Sequence, residues 1–441
     1  MHARRHPVRK FAAALALATV ATAGLVSVAG AQSADAPGVT ANSIKIGYIF
    51  SETGAASSTF KDAGKAFQAR IDRANAEGGV NGRKIDAVII DDESSGANLT
   101  AAQDLVQNRK VFMVVNNSSF AFLSYRYLLS QGVPVIGGGY DGTYYGQKGN
   151  ESIFSASGNA APISGLTYDY TTQAMKMKGA TKVAALAYGA SASSSDNAKT
   201  VQQYAVPKAG MKAVYTNTTV DFGTSDVGPL VLGIKNAGAD ATYLPMVAST
   251  NVAVVQGLQQ SGVDIKANIL ATGYGQALLD SPAASTLGPN TLLWQGYVPV
   301  ELKTKATKQY QADLKKYGGI NGVPDYGDYL GYITADMAVL GLQQAGKNPT
   351  RQSFVDNLHK VGTYDGAGLT CTKLDISLEN YGKYAPTSCA YFEYVKDGKF
   401  VIFNKGKPVQ GKLVGATDLL KANAEGQLSA TTTTPPTTAA P

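Results

Sequence analysis

The 441-residue sequence predicts an α/β protein with two doubly wound parallel-sheet units, and three observations carry that prediction. From Ser43 onward, short β-rich runs alternate with helical stretches, the order required by a parallel sheet covered by helices on both faces. After about Asn159 the alternation restarts and runs through a second unit of similar size. The composition, 44% hydrophobic and only 16% charged, is enough to fill such cores and too apolar for a mostly disordered chain. This length is expected to form two or three domains.

In the first unit, residues 44–50 (IKIGYIF) read as a strand. The loop Ser51-Glu52-Thr53-Gly54 follows, then a helix over about 60–77 that stops at Gly78-Gly79. Strands are expected at 85–90, 111–115 and 133–136, with helices at 99–108 and 125–131. The second unit reads as helices 163–177, 197–209, 227–237 and 251–260 between strands 182–187, 212–215, 241–244 and 268–271. A strand over 292–297, ending Gly296-Tyr297-Val298-Pro299, reads as a crossing back to the first unit. Amphipathic helices at 304–316 and 329–345 follow, and a helix at 354–360 carries His359, expected at the surface or between the units. A Lys-Asp-Gly-Lys turn between 391–395 and 400–403 signals a hairpin. The tail 430–441 (ATTTTPPTTAAP) has no apolar face to bury and is expected to be disordered, as a spacer or glycosylated stalk.

The N-terminus reads as a secretory signal over residues 1–31. Arg4, Arg5, Arg9 and Lys10 precede an apolar run from Phe11 to about Val28, and the small-residue site Ala29-Gly30-Ala31 favours cleavage over a membrane anchor. The Arg4-Arg5 pair hints at twin-arginine export, and no cysteine follows the run to carry a lipid. A secreted or periplasmic, cell-envelope location is therefore expected. Removing those four cations lowers the formal net charge from +7 to +3, and no dense Lys/Arg stretch is interleaved with aromatics, so a nucleic-acid partner is not expected. Cys371 and Cys389, an even count in an exported chain, read as one disulfide worth about 3 kcal/mol.

Little in the sequence suits catalysis. Of three histidines, His2 and His6 lie in the leader and only His359 remains, which argues against His-based metal sites and catalytic triads. Gly137, Gly139 and Gly142 satisfy GxGxxG, but the expected helix and downstream acid are missing; no GxxxxGK[ST], HExxH or GxSxG occurs, and no cofactor or metal is expected. The loops at the carboxyl ends of the strands contain Asn116 to Ser119, Gly137 to Asp141, Tyr188 to Ser193, Ala248 to Thr250 and Thr272 to Tyr274. They are rich in hydroxyls, small residues and tyrosines. Such groups bind a polar solute by hydrogen bonds and ring contacts but move protons poorly at neutral pH. Each Ser or Gly is equally open to a capping or turn role, Asp141 before Gly142 to a turn, and Tyr140, Tyr144 and Tyr145 to a surface or interlobe cluster.

The strand 44–50, the SETG loop, the segment EGGVNGRKI at 77–85, the strand ending Asp91-Asp92-Glu93 and Gly132-Val133-Pro134-Val135-Ile136 together resemble the type I periplasmic binding proteins over roughly Ser43 to Phe403. Within them the chain is most similar to the leucine/isoleucine/valine-binding group that feeds ABC importers. The resemblance implies two lobes joined by a multi-strand hinge: 43–158 plus 298–362, and 159–297 plus 363–420, with a disordered 421–441. It also implies a non-catalytic, monomeric solute receptor that delivers its ligand to an ABC permease. Carried over by position, ligand contacts fall at Ser118, Ser119, Gly139 and Asp141, at Tyr188, Ser193, Ala248 and Ser249 in the second lobe, and at Tyr326; Tyr140 and Tyr274 join them from the loop reading. The family's acid that pairs with an amino group falls at Gly273, and a neutral position falls at Asp141. Those departures weigh against a plain aliphatic amino acid: either Asp141 supplies the displaced carboxylate, or the ligand has no ammonium. Two rival readings are an extracellular carbohydrate-active enzyme using Glu52 and Asp141 and a sensor that docks on a signalling receptor.

Overall fold

The computed structural model describes residues 36–139, 145–159 and 164–428; the segment expected to be a signal sequence, the tail beyond residue 428, Tyr140 and Asp141 lie outside them. Five strands form the first sheet: β1 (Ser43–Phe50), β2 (Lys84–Asp91), β3 (Val114–Asn116), β4 (Val135–Gly137) and β5 (Ile153–Ser155). They are all parallel, in the order β2-β1-β3-β4-β5. Five strands of the second sheet repeat that order: β6 (Lys182–Tyr188), β7 (Lys212–Val220), β8 (Ala241–Leu244), β9 (Ala267–Leu270) and β10 (Thr291–Gln295) run β7-β6-β8-β9-β10. The antiparallel hairpin β11 (Cys389–Lys396) and β12 (Lys399–Ile402) extends its β10 edge. Each sheet thus reverses direction once, between β1 and β3 and between β6 and β8. At such a switch point neighbouring loops diverge and open a crevice beyond the strand carboxyl ends.

The helices follow from apolar spacing and local caps. In the first half, α1 (Ser57–Phe60) leads into α2 (Ala63–Ala76), whose buried Ala66, Phe67, Arg70, Ile71 and Ala74 line one face. The Phe67 ring stacks on Tyr48 of β1 at 4.1 Å between centroids. Helices α3 (Ala192–Thr200) and α4 (Ala248–Gln260) cover the second sheet. After β10 the chain returns to the first sheet, where α5 (Tyr326–Ala345) starts with an Asp325/Asp328 capping box and packs along α2. Gly331 makes that approach possible, because a Cβ there would collide with the Ala63 carbonyl oxygen. Helix α6 (Arg351–Lys360) packs on α5, and the chain then crosses a third time to β11. Short pairings brace the crossings: Gly158–Asn159 with Ala385–Pro386, and Tyr297 with Thr370. The Cys371–Cys389 disulfide lies in the third crossing.

One expectation changes and another narrows. Residues 163–177 were expected to be one helix, yet Leu166–Tyr168 is a strand paired with Leu413–Gly415, and the helix begins at Tyr170. A partner some 245 residues away supplies hydrogen bonds that local pattern cannot reveal. Of the two places expected for His359, the surface is ruled out: it is buried, 5% exposed, and its two ring nitrogens face the carbonyls of Ile376 and Glu151 at 2.7 Å each.

Candidate functional site

The carboxyl ends of both sheets converge on one cavity of about 230 Å³. The first sheet contributes Thr59 and Phe60 after β1, Ser119 after β3, Gly139 after β4, and Ala156 and Ser157 after β5. From the second come Tyr188 and Ser191 after β6, Pro245 to Val247 after β8, Ala271 and Thr272 after β9, and Trp294, Gly296 and Tyr297 at the end of β10. Tyr326 at the start of α5 and Thr370, Pro386 and Thr387 of the third crossing also line it. No Asp, Glu, Lys, Arg or His occurs among the described lining residues. The surface is therefore aromatic and hydroxylic, able to bind and orient a solute but not to exchange protons with it near neutral pH.

Side chains on the wall are held by specific partners. Tyr188 donates its hydroxyl to Thr250 Oγ1 at 2.7 Å, and Tyr243 donates to Asn197 Oδ1 at 2.8 Å. Burial pushes the phenols of Tyr170, to about 12, and of Tyr188 and Tyr297 above their ordinary values, so they remain neutral donors. Ser191 caps α3 by accepting from Ser194 N–H at 3.4 Å, which turns Ser193 toward the cavity. Phe222 of the wall also meets Phe120 edge-on at 5.4 Å.

The structure brings Ser119, Gly139, Tyr188, Ser193 and Tyr326 together on this wall. Ser118 is placed differently: its hydroxyl donates to the buried Asp92 and accepts from Phe120 N–H at 2.8 Å. Asp92 also accepts from Ser51 Oγ at 2.8 Å and Asn98 Nδ2 at 3.0 Å, so this network fixes the loop that presents Ser119. Ala248, Ser249 and Tyr274 line a second cavity, about 510 Å³, with Gly273 and again Tyr326. Its walls are mainly the sides of helices rather than strand ends. The two cavities meet at α1, where Ala248 N–H donates to Thr59 Oγ1 at 3.1 Å and Ser249 N–H to Ser58 Oγ at 3.3 Å. Glu52 is exposed and lines neither cavity, so it makes no carboxylate pair there.

Sequence reading passed over Phe60, Tyr170, Phe222, Tyr243, Trp294 and Tyr297, all on the wall of the first cavity. One usable signal existed: a strand end that is also a crossing, as at Gly296-Tyr297, must face the gap between the sheets. The others lie on β8 and β10, on helices or on loops with no local mark of the cavity.

A sequence profile for the family described as periplasmic binding protein matches residues 43–399. No curated protein sequence matches the chain. Among solved structures, it is similar to the branched-chain amino acid transporter substrate-binding protein LivJ of Streptococcus pneumoniae in complex with isoleucine: 20% identity over 84% of this chain and 100% of that one, TM-score 0.66. A solute-binding protein of an ABC transporter from R. palustris, in complex with benzoate, has 15% identity over 84% of this chain and 98% of its own, TM-score 0.66. A fatty acid ABC transporter substrate-binding protein from Thermomonospora curvata has 18% identity over 88% of this chain and 96% of its own, TM-score 0.68. At these identities the structural likeness establishes the fold.

Proposed function

The chain belongs to the type I periplasmic binding protein family, and on that premise we propose that it captures a small organic solute between two lobes and hands it, unchanged, to an ABC permease. Binding proteins of this family are non-enzymatic and work outside the cytoplasm with ABC transporters. We take the lobes as 43–158 plus 298–362 and 159–297 plus 363–420, acting as a monomer after removal of the signal sequence. The observation that carries the reading is the cavity between the carboxyl ends of two sheets that share a five-strand order, with both sheets contributing to one wall that is uncharged among the described residues. Ser119, Gly139, Tyr188, Ser193 and Tyr326 are the proposed contacts, with Ser118 holding the Ser119 loop. Similar structures hold isoleucine and benzoate, so fold likeness leaves open which organic class this chain takes.

Closure is the functional event: a ligand that touches both walls favours the closed form by its differential affinity for it. Micromolar affinity requires only about −8 kcal/mol, within reach of several hydrogen bonds and ring contacts. The test is a thermal-shift screen of small organic solutes, followed by scattering and recovery of the solute. A true ligand at about 100 times its dissociation constant adds about 2.7 kcal/mol to stability. It also lowers the radius of gyration and is recovered chemically intact. Chemical conversion of the solute, or binding with no change of shape, would overturn this reading.

A further inference from the structure

Resting on the receptor reading above, we propose that Trp294 and Tyr297 select an oxygen-bearing aromatic ring that carries no ammonium group. Both residues sit at the end of β10, on the wall of the first cavity. The Trp294 indole lies flat against the chain because Gly296 has no side chain; a Cβ there would stand 3.1 Å from Cη2 and 3.2 Å from Cζ2 of the indole. Tyr170 runs nearly parallel to the indole at 6.4 Å and 24°, and Tyr326 lies 5.8 Å from the Tyr297 ring. These are fixed ring surfaces, suited to a flat solute.

The polar atoms narrow the class further. The indole N–H of Trp294 and the hydroxyl of Tyr297 are buried and complete no hydrogen bond among the described residues. Tyr170 near the indole, and Ser157 and Tyr326 near the phenol, approach them only in looser geometry. An indole N–H can only donate, so the missing partner is an acceptor, and a ligand oxygen placed there relieves a buried, unpaired donor.

Among the described residues, which exclude Asp141, an ammonium group has no such reception. Among the described residues, the wall offers no carboxylate, and the nearby Asp92 is already engaged by Ser51, Asn98 and Ser118. A cation enclosed without a counter-charge is strongly disfavoured. Size agrees: a closed cavity of about 150 Å³ accepts benzene, so about 230 Å³ takes one ring with a few further heavy atoms.

Trp294 is the only tryptophan in the chain, so its emission reports directly on this wall. The experiment titrates the full mature protein with 4-hydroxybenzoate, 3-phenylpropionate, phenylalanine, leucine and decanoate, following emission and heat of binding. Expected is saturable binding of at least one of the two ring acids with a change in Trp294 emission, and phenylalanine weaker than 3-phenylpropionate by about tenfold or more. Tyr297→Phe, which removes a single oxygen, is expected to weaken the ring ligand about fivefold to tenfold at an unchanged melting temperature. Tighter binding of leucine or decanoate, a preference for phenylalanine over its des-amino analogue, an unaffected Tyr297→Phe, or failure of both ring acids to bind overturns the inference. Any aliphatic ligand returned intact would leave the receptor reading standing, whereas conversion of a bound solute would remove that reading itself.

Discussion

Glu393 on β11 is fully buried with both carboxylate oxygens unpartnered. Burial first, and the neighbouring Glu301 second, hold its carboxyl well above the ordinary value of 4.5. Asp328, in the capping box of α5, is likewise pushed up by burial, to about 7. The folded protein therefore keeps protons that the unfolded chain releases from about pH 4.5, and stability falls as pH rises from there, through about 7 for Asp328. Glu393→Gln removes one such group: its melting temperature should exceed that of the parent at pH 8 and match it at pH 4, by scanning calorimetry at both. Asp92 is also buried, but its oxygens accept from several donors. Asp92→Asn turns an amide toward those donors and should cost about 3 kcal/mol in urea unfolding, loosening the Ser119 loop as well. Neither environment was legible in the sequence, because DDES reads only as a strand end and YFEYVK only as a strand; burial on each is decided by neighbours from other elements.

Helix α4 shows how one element depends on another. Its N-cap position is Val247, which has no capping side chain, and its first amides are instead taken by Ser58 and Thr59 of α1, on the side of the other sheet. Those caps join the two sheets, so under the closure proposed above α1 would serve as a latch that forms as the walls meet. Ser58→Ala removes one cap, worth about 1 kcal/mol, and should weaken ligand affinity about fivefold, read by calorimetric titration. The strands and most helices around this latch were legible within a few residues: IKIGYIF is β1, and the Asp397-Gly398 turn joins β11 to β12. Leu166–Tyr168 was not, since its β-structure comes from a distant partner that outweighs local helical pattern.

At the scale of the molecule, one apolar core cluster contains residues of both sheets, from Ile46 and Phe60 to Tyr188, Leu244 and Leu293. The chain crosses between the sheets three times, and Cys371–Cys389 ties the third crossing to the start of β11 across an 18-residue step. Closing that loop in the unfolded chain is worth about 3 kcal/mol. The Cys371→Ser/Cys389→Ser variant should lose about that much, measured by urea unfolding against the oxidised parent.

What the sequence determined by itself is the alternating α/β order, its restart, the poverty of proton-moving groups, the cysteine pairing and the small-residue loops after the strands. Each of these is written in residue type and short-range spacing, because strand and helix periods and small-residue loops are local properties. The tertiary structure alone decided which of those loops share a cavity, that Ala248 and Ser249 spend their amides on α1, and that Trp294 and Tyr297 stand with unmet donors on the wall. Those facts depend on how two sheets approach each other in space, and no stretch of chain carries both sides of that contact.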